Sequence, residues 1–155
     1  MKAGQIVIGI DPGKSGGLCA LGESTARSRP MPEPTAVKEW LESLIDQFGR
    51  ESLLAIIEEP PRFVAGNSNT GSTMIVLGEN YGLMKGLIIG LGIPMRKVRP
   101  QEWQKGLPGL KGLKGAERKR ALKNLANERF PQLAPTLKSC DAILIAQWGR
   151  LKEVM

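Results

Sequence analysis

Two short apolar runs constrain this chain more than any other feature. They are QIVIGI at Gln5–Ile10 and LLAII at Leu53–Ile57, and each runs straight into acid: Asp11 after the first, Glu58 and Glu59 after the second. Runs this short and this uniformly apolar read as buried strands. The Asp11-Pro12-Gly13 that follows the first is a tight-turn signal, so Gly16–Leu21 is expected to return beside it as a hairpin partner. Pro30, Pro32 and Pro34 then interrupt regular structure. From Thr35, a candidate N-cap, the residues Val37, Trp40, Leu41, Leu44, Ile45 and Phe48 recur at helical spacing, and Gly49 is a natural stop.

Beyond the second run, residues 63–73 are rich in Gly, Asn, Ser and Thr and read as a loop. A helix is expected over Thr73–Leu91, although Gly78, Gly82, Gly86 and Gly90 recur in it every fourth residue. Each glycine costs about 1 kcal/mol against alanine in a helix interior. The row therefore calls for a reason, and close approach by another backbone is the simplest. Met95–Val98 reads as a short strand and Gly106–Gly115 as a flexible basic segment; helices follow over Ala116–Arg129 and Ser139–Lys152. Strands interleaved with helices describe one α/β domain over residues 1–155, a mixed sheet with helices on its faces.

The chain has no histidine. That removes Ser-His-Asp and Cys-His triads and imidazole-bound zinc, leaving carboxylates, lysines and a hard cation to carry any hydrolysis. Cys19 and Cys140 read as small buried apolar residues in a reducing compartment. No apolar run is long enough to span a membrane and the N-terminus does not read as a signal peptide, so the expected location is cytoplasmic, without membrane attachment. Lys plus Arg exceed Asp plus Glu by 22 to 15, a formal charge of +7. Much of the excess lies between Lys97 and Arg129, at Arg99, Lys105, Lys111, Lys114, Arg118, Lys119, Arg120 and Lys123, which points to a polyanionic partner.

Asp11 and Glu58 both end strands, and strand ends converge on a crevice at one edge of an open sheet. Asp141, in the first turn of the last helix, can be delivered to the same place. Converging carboxylates repel, and magnesium, which prefers carboxylate and water oxygens, relieves that repulsion. Two such ions about 4 Å apart can activate a water and stabilise the leaving oxygen of a phosphodiester. The Gly13-Lys14-Ser15 triplet is not a P-loop, because Ile8 stands where that motif needs its first glycine.

Five segments resemble the RuvC-like Holliday junction resolvases, especially their compact phage and organellar branch. They are IGIDPGKSGG at 8–17, AIIEEPP at 55–61, GSTMIVLGENYGLMKGLIIGLGIP at 71–94, VRPQEWQKGL at 98–107, and FPQL with DAILIAQWG within 130–149. The resemblance implies an RNase H-like α/β fold with a mixed five-stranded sheet, a homodimer, and dependence on Mg²⁺ or Mn²⁺, two ions per site. It implies symmetric paired nicks in a four-way junction, leaving 5′-phosphate and 3′-hydroxyl ends, with no small-molecule cofactor. By that resemblance Asp11, Glu58 and Asp141 are metal ligands, with Glu59 in reserve for Glu58. Lys105, Arg118 and Lys119 are the candidate cations near the scissile phosphate, Lys105 and Lys119 in the catalytic set. The DNA surface would comprise Phe63, Asn67 and Ser72 from the loop that probes the junction centre, with Arg99, Lys105, Lys111, Lys114, Arg118, Lys119 and Lys123. Phe63 fits a base wedge and an aromatic packed under its loop equally well.

The chain departs from the family at one point. A further acid is usual three or four residues before the one matching Asp141, and here those positions hold Leu137 and Lys138. Three options stay open: Glu59 or Glu102 substitutes weakly, the second metal is held by fewer ligands, or the protein binds branched DNA and cuts it poorly or not at all. A flap or fork nuclease of the same fold stays open too. A fragment of the sugar-kinase and actin superfamily is disfavoured, because that architecture needs two domains.

Overall fold

The computed structural model describes residues 4–61 and 71–154. Strands β1 (Ile6–Asp11), β2 (Gly17–Leu21) and β3 (Ala26–Pro30) precede helix α1 (Pro34–Phe48). Strand β4 (Leu53–Glu58), helix α2 (Gly71–Gly90) and strand β5 (Met95–Val98) follow. The chain finishes in a short α3 (Pro100–Trp103), α4 (Gly115–Arg129) and α5 (Cys140–Val154). The sheet has five strands in the order β3-β2-β1-β4-β5. β1 pairs antiparallel with β2 and parallel with β4, and β5 extends the parallel half from β4.

The two apolar runs thus occupy the centre of the sheet, with a layer on each face. Ile6, Ile8 and Ile10 of β1 join Leu53, Ala55 and Ile57 of β4 in a core closed by Val37, Leu41 and Leu44 of α1 and by Met84 and Ile88 of α2. Val7, Leu54 and Ile56 face the other way, into a core with Ala142, Ile143, Ile145 and Ala146 of α5 and Leu122, Leu125 and Ala126 of α4. Covered on both faces, such strands lose the polar alternation of a half-exposed sheet. α5 lies very close to β1: a Cβ on Gly9 would fall 2.1 Å from the carbonyl oxygen of Ala142 and 2.6 Å from the amide nitrogen of Ala146.

Four local expectations are corrected. β3, with the sequence ARSRP, is a fifth strand that no apolar pattern announces, because its residues are exposed or half-buried at the sheet edge. Helix α1 begins at Pro34, two residues earlier than a Thr35 cap requires, and Glu33 at the cap position makes no side-chain cap bond. Proline's fixed φ suits the first helical position, which moves the start. α2 starts at Gly71, and its glycine row meets no neighbouring backbone: a Cβ at Gly78, Gly82, Gly86 or Gly90 would find nothing within 4 Å among the described residues. The segment 106–115 is a string of turns punctuated by glycines at positive φ, Gly106 (83°), Gly109 (75°), Gly112 (79°) and Gly115 (56°). Only glycine adopts that conformation cheaply. Leu110 is buried between the turns.

Candidate active site

Parallel pairing of β1 with β4 in the register Ile10 with Ile57 brings Asp11 and Glu58 out at the same edge of the sheet. Because Ile10 and Ile57 face α1 and α2, the alternation of side chains sends both carboxylates towards the α5 face. There the first turn of α5 supplies Asp141, set in place by the close seating of α5 on Gly9. The turn after Asp11 folds back on itself: the Gly16 amide donates to the Gly13 carbonyl at 3.1 Å, and a Cβ on Gly16 would sit 1.9 Å from the Asp11 carbonyl oxygen.

α4 adds Lys119. Its ammonium donates to Asp141 Oδ2 at 2.7 Å and lies 3.9 Å from Asp11 Oδ2. From α3, the Trp103 indole N–H donates to Glu58 Oε2. Trp103 is buried and was not singled out by sequence reasoning; its place in the WQKGL segment was the available signal. A pocket of about 440 Å³ opens over Asp11, Lys119 and Asp141, with Lys14, Ser15 and Asn80 also on its wall.

Burial and neighbouring negative charge raise the proton affinity of Asp11 and Glu58. Burial pushes the Asp11 carboxyl well above its ordinary range, the charges of Asp141 and Glu58 push it further, and Lys119 opposes them. Burial lifts Glu58 to about 7, with Asp141 adding to the rise while the Trp103 hydrogen bond and Lys119 work against it. Lys119 has its ammonium form disfavoured by burial, but the charge and hydrogen bond of Asp141 outweigh that and raise it. Cys140 Sγ lies 3.4 Å from Asp141 Oδ1, and burial pushes its thiol up to about 12, far from a reactive thiolate.

The remaining candidates scatter. Glu59, one residue on, takes the opposite side and lines a separate cleft with Tyr81 and Lys97. Glu102 is exposed and paired with Arg99 at 3.3 Å. Arg118 is committed inside the protein: its guanidinium donates to Gln104 Oε1 at 2.6 and 3.0 Å, to the Leu110 carbonyl at 3.0 Å and to that of Leu113 at 3.4 Å. Lys105, Lys111 and Lys114 are exposed along the turn string, Lys123 is half-buried on α4, and Ser72 is exposed at the start of α2. Phe63 and Asn67 lie outside the described residues. Lys138 is exposed and Leu137 half-exposed, so neither position offers a metal ligand.

In this arrangement no three acids or cysteines among the described residues form a group that could hold one metal ion. A complete protein cage is not what a hard cation requires here: magnesium is commonly held by one or two carboxylates, with water and substrate phosphate completing its shell. Asp11 and Glu58 meet that need chemically. They offer oxygen donors only, both have ionisation opposed by burial and by neighbouring negative charge, and Lys119 forms no hydrogen bond or ion pair with Glu58.

No protein family matches the sequence, and no curated protein does. Solved structures do match. RuvC of Thermus thermophilus in complex with a Holliday junction substrate superposes with a TM-score of 0.62 at 16% identity, covering 97% of this chain and 96% of that one. A second Thermus thermophilus RuvC structure gives 0.57 at 17% identity over the same shares. Over nearly its whole length, then, this chain has the fold of RuvC, an RNase H-like mixed five-stranded sheet flanked by helices.

Proposed function

We propose that the chain is a divalent-metal-dependent DNA endonuclease that cuts branched DNA, four-way junctions above all. The observation that carries this reading is the meeting of Asp11, Glu58, Asp141 and Lys119 at one sheet edge, from four different elements. Nothing in the packing of the core needs three largely buried acids there. A divalent ion on Asp11 and Glu58 would supply an activated water and charge for the leaving oxygen. The chain's own residues do the rest. The glycine turn keeps side chains away from Asp11, and Lys14 and Asn80 at the pocket wall can orient a phosphate. Lys105, Lys111 and Lys114 present ammonium groups to the DNA backbone. The Thermus RuvC structure with its Holliday junction is what turns a general nuclease reading towards branched DNA.

Symmetric cutting calls for two copies of the site. The homodimer is assigned to α2, where Ile75, Val76, Leu83 and Ile89 are exposed on a helix whose glycine row meets nothing among the described residues. A second reading, binding without cutting, draws on Lys138 in place of an acid and on the Lys119–Asp141 pair. Labelled four-way junction and linear duplex, each incubated in Mg²⁺, in Mn²⁺ and in EDTA, separate the two. Paired metal-dependent nicks confined to the junction support the nuclease; tight junction binding with no cleavage in either metal supports the binding protein.

A further inference from the structure

The charge of the site does not close around two divalent ions. Asp11, Glu58 and Asp141 bring three formal negative charges, and one ammonium, that of Lys119, already stands 2.7 Å from Asp141 and 3.9 Å from Asp11. A single divalent ion together with that ammonium balances the three carboxylates. In the substrate-free protein a second ion would leave two surplus positive charges. The Asp11 and Asp141 side chains are only 15% and 12% exposed, so little water is present to screen the excess.

The positions agree with the count. Lys119 takes the Asp141 side of the site, whereas Glu58 is held by Trp103 on the other. The neighbourhood that would have to bind a further cation beside Asp141 offers Leu137 and Lys138. We propose that the Lys119 ammonium replaces the second cation. The site takes one divalent ion, on Asp11 and Glu58, and Lys119 held by Asp141 presents the other positive charge to the substrate phosphate. An ammonium suits this role, being a compact charge with three donors that can serve a carboxylate and a phosphate together. The inference rests on the nuclease reading and puts one ion where the resemblance implies two.

The test counts Mn²⁺ on the full chain without DNA, by metal analysis and by electron paramagnetic resonance, beside a junction-cleavage assay. Wild type should bind one Mn²⁺ per chain with the spectrum of an isolated ion. Lys119→Glu, which exchanges the ammonium for a carboxylate, should bind two with an exchange-coupled spectrum. Lys119→Met, which only removes the charge, should bind its first ion roughly tenfold more tightly, since a nearby like charge is gone; it also covers a failure of Lys119→Glu to fold. Two coupled ions on an active wild type would overturn this proposal and leave the nuclease standing. So would Lys119→Met with wild-type affinity. Neither metal binding nor cleavage by wild type would overturn the nuclease reading and this inference with it.

Discussion

At the scale of single residues, the site is a place where the fold accepts charge it does not stabilise. Glu58 ionises only near 7 in the folded protein, against an ordinary 4.5, because burial disfavours its charge. The folded state therefore binds a proton that the unfolded chain has released. That stabilisation is complete below about 4.5 and is lost as pH rises through about 7. Asp11 shifts in the same direction. Metal-free protein should accordingly melt at a lower temperature at pH 8 than at pH 5, by an amount worth up to about 3 kcal/mol for Glu58. Glu58→Gln should remove Glu58's share of that dependence and leave that of Asp11, and thermal melts in EDTA at the two pH values check it; an unchanged slope would contradict the burial assigned to this carboxyl. Asp11→Asn should melt higher than wild type at pH 8 in EDTA while losing all cleavage. The acids themselves were legible in the sequence, since each follows an apolar run or opens a helix. Of their partners, Trp103 was not, and Lys119 was one of three cations that the resemblance alone implied. Trp103 and Lys119 reach the site from α3 and α4, and nothing in local spacing says which tryptophan or which of the clustered lysines turns inward.

Elements position this site through two close fits. α5 can bring Asp141 to Asp11 only because Gly9 lets it lie on β1; Gly9→Ala would drive a Cβ into the Ala142 carbonyl and Ala146 amide. Overpacking of this kind costs about 3 kcal/mol, and chemical denaturation should show it. Gly82→Ala is the contrasting case. Its Cβ enters open space on a helix, so it should stabilise the single chain by up to about 1 kcal/mol. If α2 is the dimer face, the same change should weaken self-association in sedimentation; stabilisation with unaltered association would move the interface elsewhere. The glycine spacing in α2 was plain in the sequence, but its expected partner within the chain is absent among the described residues, because spacing reports that room exists and not what fills it. β3 was illegible for a different reason: an exposed edge strand carries ARSRP and no alternation. The turn string 106–115 read as flexible because glycine count alone does not reveal that Arg118 ties its carbonyls together.

Across the whole molecule, a charge of +7 and an acidic pocket beside exposed lysines describe a surface that gathers a polyanion and a recess that handles one phosphate of it. Affinity for junction DNA should fall steeply with salt, since each phosphate contact releases about one counterion. Lys111→Ala should lower the slope of log affinity against log salt by about 0.9. Arg118→Ala should leave that slope nearly unchanged while destabilising the fold, because its donors are spent on Gln104, Leu110 and Leu113. Of the overall architecture, the central strands and main helices followed from apolar runs and helical spacing, and the five segments in order pointed to the same fold that Thermus RuvC shows. The chemistry is what the fold alone does not carry, and one measurement reaches it most directly: cleavage of a four-way junction, labelled on each strand in turn, by wild type and by Asp11→Asn in Mg²⁺ and in EDTA. Wild type should give paired nicks at symmetric positions with Mg²⁺ only, and the variant should bind the junction without cutting it. Cleavage that survives EDTA or the loss of Asp11, or a wild type that binds and never cuts, would contradict the nuclease reading.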